Sequence, residues 1–278
     1  MSQWQDTITF GGQISAWTNY NFSTDNIFLG GRYIPEISYQ LNNRKNRNFD
    51  IDLSANANGS WLVNDSFDGN IKPYRAWARY STPQLELRGG LQKINFGSAS
   101  MLRPLMWFDQ IDPRDPLQLT DGVWALLGRY YFLNNANIWV WGLIGNNNPK
   151  GFEFAGTYKN KPEFGGRIQY PIPNGEAGFS FHQRVWGFPL SPEIDQLKIT
   201  EKRYGLDAKV DWVCGLWIEA SLVNNDRNIG ILNNQTLINL GTDYTFGFGN
   251  GLLAIYEHLF ISFDNKPFEF ENLTQLSL

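Results

Sequence analysis

The chain has 278 residues, a formal net charge of −4 and 15% aromatic residues, with a pI near 5.3. The acidic balance argues against nucleic acid as a partner, and no apolar run approaches the roughly 20 residues of a membrane-spanning helix. The single cysteine, Cys214, excludes an internal disulfide. No linker, charge block or compositional break is visible, so residues 1–278 are expected to form a single domain.

The elements repeat a period of two. From Ile8 the first segment places Ile8, Phe10, Ile14, Ala16, Tyr20 and Phe22 on one face, and Thr9, Gln13, Ser15, Trp17 and Asn19 on the other. A second segment covers 32–42. The third is cleaner: Phe49, Ile51, Leu53, Ala55 and Ala57 alternate with Asp50, Asp52, Ser54, Asn56 and Asn58. Strand patterns continue at 73–81, 85–96, 123–133, 137–145, 163–172, 177–186, 203–212, 216–224, 235–246 and 252–261, with a weak last candidate at 268–278. Many are about 9–13 residues long, and a tilted strand needs about 9–11 to cross a bilayer.

The connections alternate. Short joins fall at 43–48, 82–84, 134–136, 173–176, 213–215 and 247–251. Long ones fall at 23–31, 62–72, 97–122, 145–162, 187–201, 225–235 and 262–267. Long on one side and short on the other is the organisation of an outer-membrane β-barrel, whose short turns are periplasmic. The expected fold is therefore all-β: a transmembrane antiparallel up-and-down barrel of about 14–16 strands. Mean hydropathy, −0.36, fits such a barrel, because only alternate residues face lipid. Strands entering the short turns end on Tyr39, Tyr80, Tyr130, Phe132, Tyr170, Trp212, Tyr244 and Phe246, an expected aromatic girdle at the headgroup level. Arg32, Glu36, Asp50, Asp52, Arg167, Arg184, Asp207, Glu219 and Glu257 share the opposite face, which a water-filled lumen would solvate. A soluble sheet sandwich would also keep such charges on its outer faces.

The third long connection, 97–122, carries Pro104, Pro113 and Pro116 and is too long for a hairpin turn. It also carries Leu102, Leu105, Met106, Trp107, Phe108, Ile111, Leu117 and Leu119. That much apolar bulk is expected to fold inward onto the wall. The arrangement resembles the general porins of Gram-negative bacteria, in which the third long loop narrows the pore and an acidic loop faces a basic wall. The resemblance implies an acidic constriction from Asp109, Asp112, Asp115 and Asp121. It implies a basic side from Arg75, Arg79 and Arg88 on the strands, with Arg103 and Arg114 on the loop. The alternative reading of these acids is structural, in turns and ion pairs, as is common for Asp near Pro. The chain ends Gln275-Leu-Ser-Leu278 without the terminal aromatic usual in such barrels, so the last strand is expected to be atypical or missing. It opens Met1-Ser-Gln-Trp4 with no signal peptide, as expected of a mature or trimmed form.

Chemistry motifs are absent. His182 and His258 lie in different hairpins without a cysteine partner, so no zinc site is expected. No G-x-S-x-G turn or phosphate-binding glycine loop occurs. The expected function is passive diffusion of small polar or charged solutes through an integral outer-membrane channel. Its partners would be lipid, solute and, as one option, further copies of itself, with no cofactor and no enzymatic role. The alternatives are a lipid hydrolase built on an outer-membrane barrel, or a sugar channel using Trp17, Trp77, Trp139 and Trp217.

Overall fold

The computed structural model describes residues 4–23, 25–43, 46–62, 67–110, 119–188 and 197–278. Among these residues fourteen strands follow one another antiparallel in chain order. They form two compact units, residues 1–92 and 93–278. The first holds β1 (Trp4–Asn21), β2 (Asn26–Asn43), β3 (Arg47–Leu62), β4 (Phe67–Ser81) and β5 (Leu85–Gln92). The second holds β6 (Val123–Tyr131), β7 (Asn137–Leu143), β8 (Glu163–Ile172), β9 (Gly175–Phe188), β10 (Leu197–Asp211), β11 (Gly215–Asn225), β12 (Asn234–Phe246), β13 (Leu252–Asp264) and β14 (Leu273–Ser277). This is the all-β, up-and-down architecture of a transmembrane barrel.

The side chains are distributed inside out relative to a water-soluble protein. In the first unit Phe10, Ile14 and Ile71 are each more than three-quarters exposed, whereas Asp50 is buried. In the second unit Leu126 is 66% exposed, while Arg167 is 2% and Glu219 0% exposed. Along β11 the burial alternates strictly, with Trp217, Glu219, Ser221 and Val223 covered and Leu216 and Ile218 open. An exposed apolar band over a buried polar face is stable only where the outer solvent is hydrocarbon.

Several boundaries differ from the pattern reading. The expected long connection at 23–31 is mostly strand. β2 begins at Asn26, and Asn21 pairs with Asn26 across a tight turn. The Gly30–Gly31 pair that resembles a loop is strand, and the Trp17 indole lies over Gly30 where any Cβ would collide with it. β4 likewise starts at Phe67, so the second long connection is also short. β10 begins at Leu197 rather than at 203. β5 ends at Gln92, and Ile94 and Phe96, expected to lie in that strand, instead leave it to join a buried cluster. The C-terminal strand is formed, with Leu273–Ser277 paired to His258–Ser262.

Because the outer face of β6 meets hydrocarbon, Leu126→Arg should lower stability by roughly 2–4 kcal/mol if that position is near mid-membrane. Urea titration of protein folded into lipid vesicles would measure it. A loss near zero would show that this face meets water.

Candidate functional site

The segment after β5 folds onto the inner face of the second unit. Its apolar residues Ile94, Phe96, Leu105, Trp107 and Phe108 pack against Val123, Ala125 and Leu127 of β6 and Trp141 and Leu143 of β7. Phe96 stacks on Trp141 at 5.6 Å, and Phe108 meets the same indole edge-on at 5.4 Å. A second cluster joins Leu102 to Leu237 and Leu259. The wall is thus apolar on β6 and β7, under the loop's aromatic residues.

Backbone groups of the loop have few partners within the loop itself. Met106 N–H donates to the Arg103 carbonyl at 3.1 Å, and Trp107 N–H to the Leu105 carbonyl at 2.9 Å. The wall supplies other partners. Glu219 accepts the amides of Ala99 at 2.6 Å and Leu105 at 3.4 Å. Glu257 accepts those of Ser100 at 2.6 Å, Met101 at 3.1 Å and Leu102 at 2.6 Å. Asn239 donates to the Leu102 carbonyl, and the Trp107 indole N–H reaches Ser221 Oγ at 3.1 Å. At Gly97, φ is +94° and a Cβ would overlap the Glu219 carboxylate, so only glycine permits this approach.

A second loop, 144–162, also lies against the inner face. Its Gly151 N–H donates to the Asp109 carbonyl at 2.9 Å, tying it to the first. Its Glu153 enters an ion-pair network with the wall. Arg184 holds Glu201 through Nε at 2.7 Å and Nη2 at 2.9 Å, and Glu153 at 2.9 Å. Arg203 reaches Glu153 and Glu201, both at 2.6 Å. Arg167 clamps Asp207 with two bonds of 2.5 and 2.8 Å. Lys150, on the same loop, has its pKa lowered by burial, opposed by the charges of Glu153 and Glu163. Between the loops and the wall remains a cavity of about 20 Å³, bordered by Trp107, Phe152, Arg184, Trp186 and Gln235. That is room for roughly one water.

Of the expected constriction acids, Asp109 is buried and Asp121 is exposed. Asp112, Arg114 and Asp115 lie outside the described residues. Arg103 is buried and donates to Asn95. In the first unit Arg79 pairs with Asp50 at 2.7 Å and Arg88 with Glu86 at 2.8 Å. Trp77 sits near both guanidinium groups, with centroid distances of 5.6 and 5.0 Å. Arg75 lies over the Tyr74 ring at 3.9 Å. Of the expected girdle, Tyr130, Phe132, Tyr170, Trp212, Tyr244 and Phe246 are exposed, and Tyr39 and Tyr80 are half-buried. Two adjacent pairs meet edge to face, Tyr130–Phe132 at 5.0 Å and Tyr244–Phe246 at 4.8 Å. His182 is fully buried, with Trp141 donating to Nδ1 at 3.2 Å and Glu163 at 3.1 Å from Nε2. Among the described residues no group of His, Cys, Asp and Glu is arranged to hold a metal ion.

Sequence reasoning missed the second inward loop and the particular role of Glu219 and Glu257. The first left a signal in Lys150, Phe152, Glu153 and Phe154, a bulky and charged run inside a connection. The second left none, since both acids look like any other polar-face residue.

No family model matches the chain, and no curated protein sequence matches it. Solved structures do. Pseudomonas putida OprB, in its high-pH structure, aligns over 94% of this chain and 76% of its own, at 12% identity and a TM-score of 0.50. A mutant of Rh. blastica porin aligns over 98% of both chains, at 11% identity and a TM-score of 0.37. Vibrio cholerae OmpT lacking loop L8 aligns over 98% of this chain and 97% of its own, at 13% identity and a TM-score of 0.41. The likeness to OprB supports the fold alone, that of an outer-membrane porin barrel.

Removing the Arg184 charge should leave Glu201 and Glu153 short of a buried partner. Arg184→Met is expected to cost about 3–5 kcal/mol, against less than about 1 kcal/mol for Lys209→Met, whose ion pairs are partly exposed. Urea unfolding of both variants beside the unmodified protein checks the contrast.

Proposed function

We propose that residues 1–278 act as one porin-like channel domain of the Gram-negative outer membrane, passing small polar or charged solutes by diffusion. The observation that carries this reading is the loop from Gly97 to Asp109. It lies on the polar, inner face of the sheet, and its amides are bonded to wall carboxylates. Selectivity in such a pore depends on its width and on the charges lining it. The segment 97–122 is the proposed constriction. Asp109, Asp112, Asp115 and Asp121 form its acidic side, and Arg75, Arg79, Arg88, Arg103 and Arg114 its basic side. The exposed aromatic ends of the strands are the proposed girdle at the periplasmic headgroups, with the short turns facing the periplasm. Assembly with further copies of the chain is compatible with this reading.

The refolded protein in a planar bilayer should give stable conductance steps that scale with salt concentration. Absence of steps from folded, inserted protein would reject the channel. In a salt gradient, neutralising Asp109, Asp112 and Asp115 together to Asn should move the reversal potential toward the anion limit. Arg75, Arg79 and Arg88 neutralised to Gln should move it the opposite way. An unchanged potential in both variants would remove these residues from the constriction.

A further inference from the structure

We propose that Glu219 and Glu257 form a carboxylate latch, two positioning residues whose negative charge holds the inward loop in place and whose neutralisation releases it. The inference rests on reading that loop as the channel constriction.

The inner wall of the second unit carries carboxylates of two kinds. Glu201 and Asp207, like Glu153 of the second loop, face arginines, and their charge is balanced on the spot. Glu219 and Glu257 are equally buried, each at 0% exposure. Among the described residues, neither makes a salt bridge. Their partners are main-chain amides. The N–H groups of Ala99, Ser100, Met101 and Leu102, four in succession, all point at these two side chains. Asn239 adds a bond of 3.3 Å to Glu257 from β12. The other charges near Glu219 are Arg103, on the loop itself, and Asp207, directly across on β10. Asp207 is already clamped by Arg167.

Consecutive amides converging on an anion make a nest, and the bonds are charge-assisted. Only an ionised carboxylate offers acceptor oxygens on both arms. An amide side chain presents an NH₂ group to the same N–H donors, and buried donors left facing it lose their partners. The loop has no ladder of its own over Ala99–Leu102 to replace them. Losing the charge therefore removes the main polar hold on the loop while leaving the arginine pairs of the wall intact.

The test uses the full chain refolded in detergent, with Cys214→Ser to remove the native thiol and Ala99→Cys as a reporter. Ala99 is 7% exposed, so a membrane-impermeant maleimide should label the reporter slowly. Adding Glu257→Gln, or Glu219→Gln with it, should speed labelling by about tenfold or more, the factor expected from losing one charge-assisted hydrogen bond. Single-channel conductance should rise in the same variants. Asp243→Asn removes a wall carboxylate that, among the described residues, forms a salt bridge with Lys209 alone, and labelling should stay as it was. Unchanged labelling in the folded double variant overturns the latch, as does equal acceleration by Asp243→Asn. If the double variant does not fold, Glu219→Gln alone, which gives up two amides, decides by the same readout. Unmodified protein that never conducts, yet whose reporter responds to Glu257, removes the channel reading and leaves the latch standing. Protein that conducts, with labelling blind to both acids, removes only the latch.

Discussion

Backbone pairing in hydrocarbon is the constraint on which everything else here depends. Each strand residue carries a C=O and, proline apart, an N–H that lipid cannot solvate, at several kcal/mol for each group left unpaired. Adjacent strands in antiparallel register, as from β8 to β13, meet that demand by main-chain bonds. Once the ladder is in place, side-chain direction follows with no further choice. One residue points to lipid and the next points in. Arg167, Arg184, Glu219 and Glu257 are buried because the alternation leaves them nowhere else to go.

A polar interior then needs partners for its charges, and this protein supplies them in two ways. Arginine and carboxylate pair along β8, β9 and β10, where cross-strand neighbours such as Arg184 and Glu201 stand directly opposite. Pairs of this kind cost desolvation and add little net stability, but losing one member strands the other. The inward loops supply the second set of partners. Main-chain amides of the first bind Glu219 and Glu257, and Glu153 of the second completes the arginine network. Loop and wall are therefore mutually dependent. Each supplies partners for polar groups that their packing together removes from water.

How far the fold was legible follows from which residues report their surroundings locally. The alternation of β3, Asp50 against Ile51 and Asp52 against Leu53, is a direct statement of two different solvents. The start of β2 was hidden because Asn26, Gly30 and Gly31 have turn-like identities. Their strand role comes from Trp17 lying across Gly30, a contact the local string cannot express. β6 carries a signal of its cover in its own residues. Val123-Trp-Ala-Leu-Leu127 is apolar on both faces, and a barrel strand apolar on both faces must be covered on its inner side. The cover is the loop itself, whose Leu105, Trp107 and Phe108 had already marked it as inward. The second loop stayed hidden behind Asn146-Asn-Asn-Pro149, which reads as a surface turn. Glu219 and Glu257 were unreadable as anchors, because the amides they bind lie more than a hundred residues away.

The choice of amides over cations as the partners of those two acids has a geometric consequence. A lysine or arginine on the loop would reach a wall carboxylate from many backbone positions, since both side chains are long and rotamer-rich. An amide has no such reach. Four successive N–H groups directed at two fixed side chains leave the backbone of Ala99–Leu102 essentially one path. That path sets Leu102 down between Leu237 and Leu259, and it delivers the Trp107 indole to Ser221. The apolar clusters supply most of the burial, yet hydrophobic contact is non-directional and would tolerate a shifted loop. Hydrogen bonds from the main chain to buried charge do not tolerate it. In this wall the hydrophobic residues decide that the loop comes in, and the two carboxylates decide where it stops.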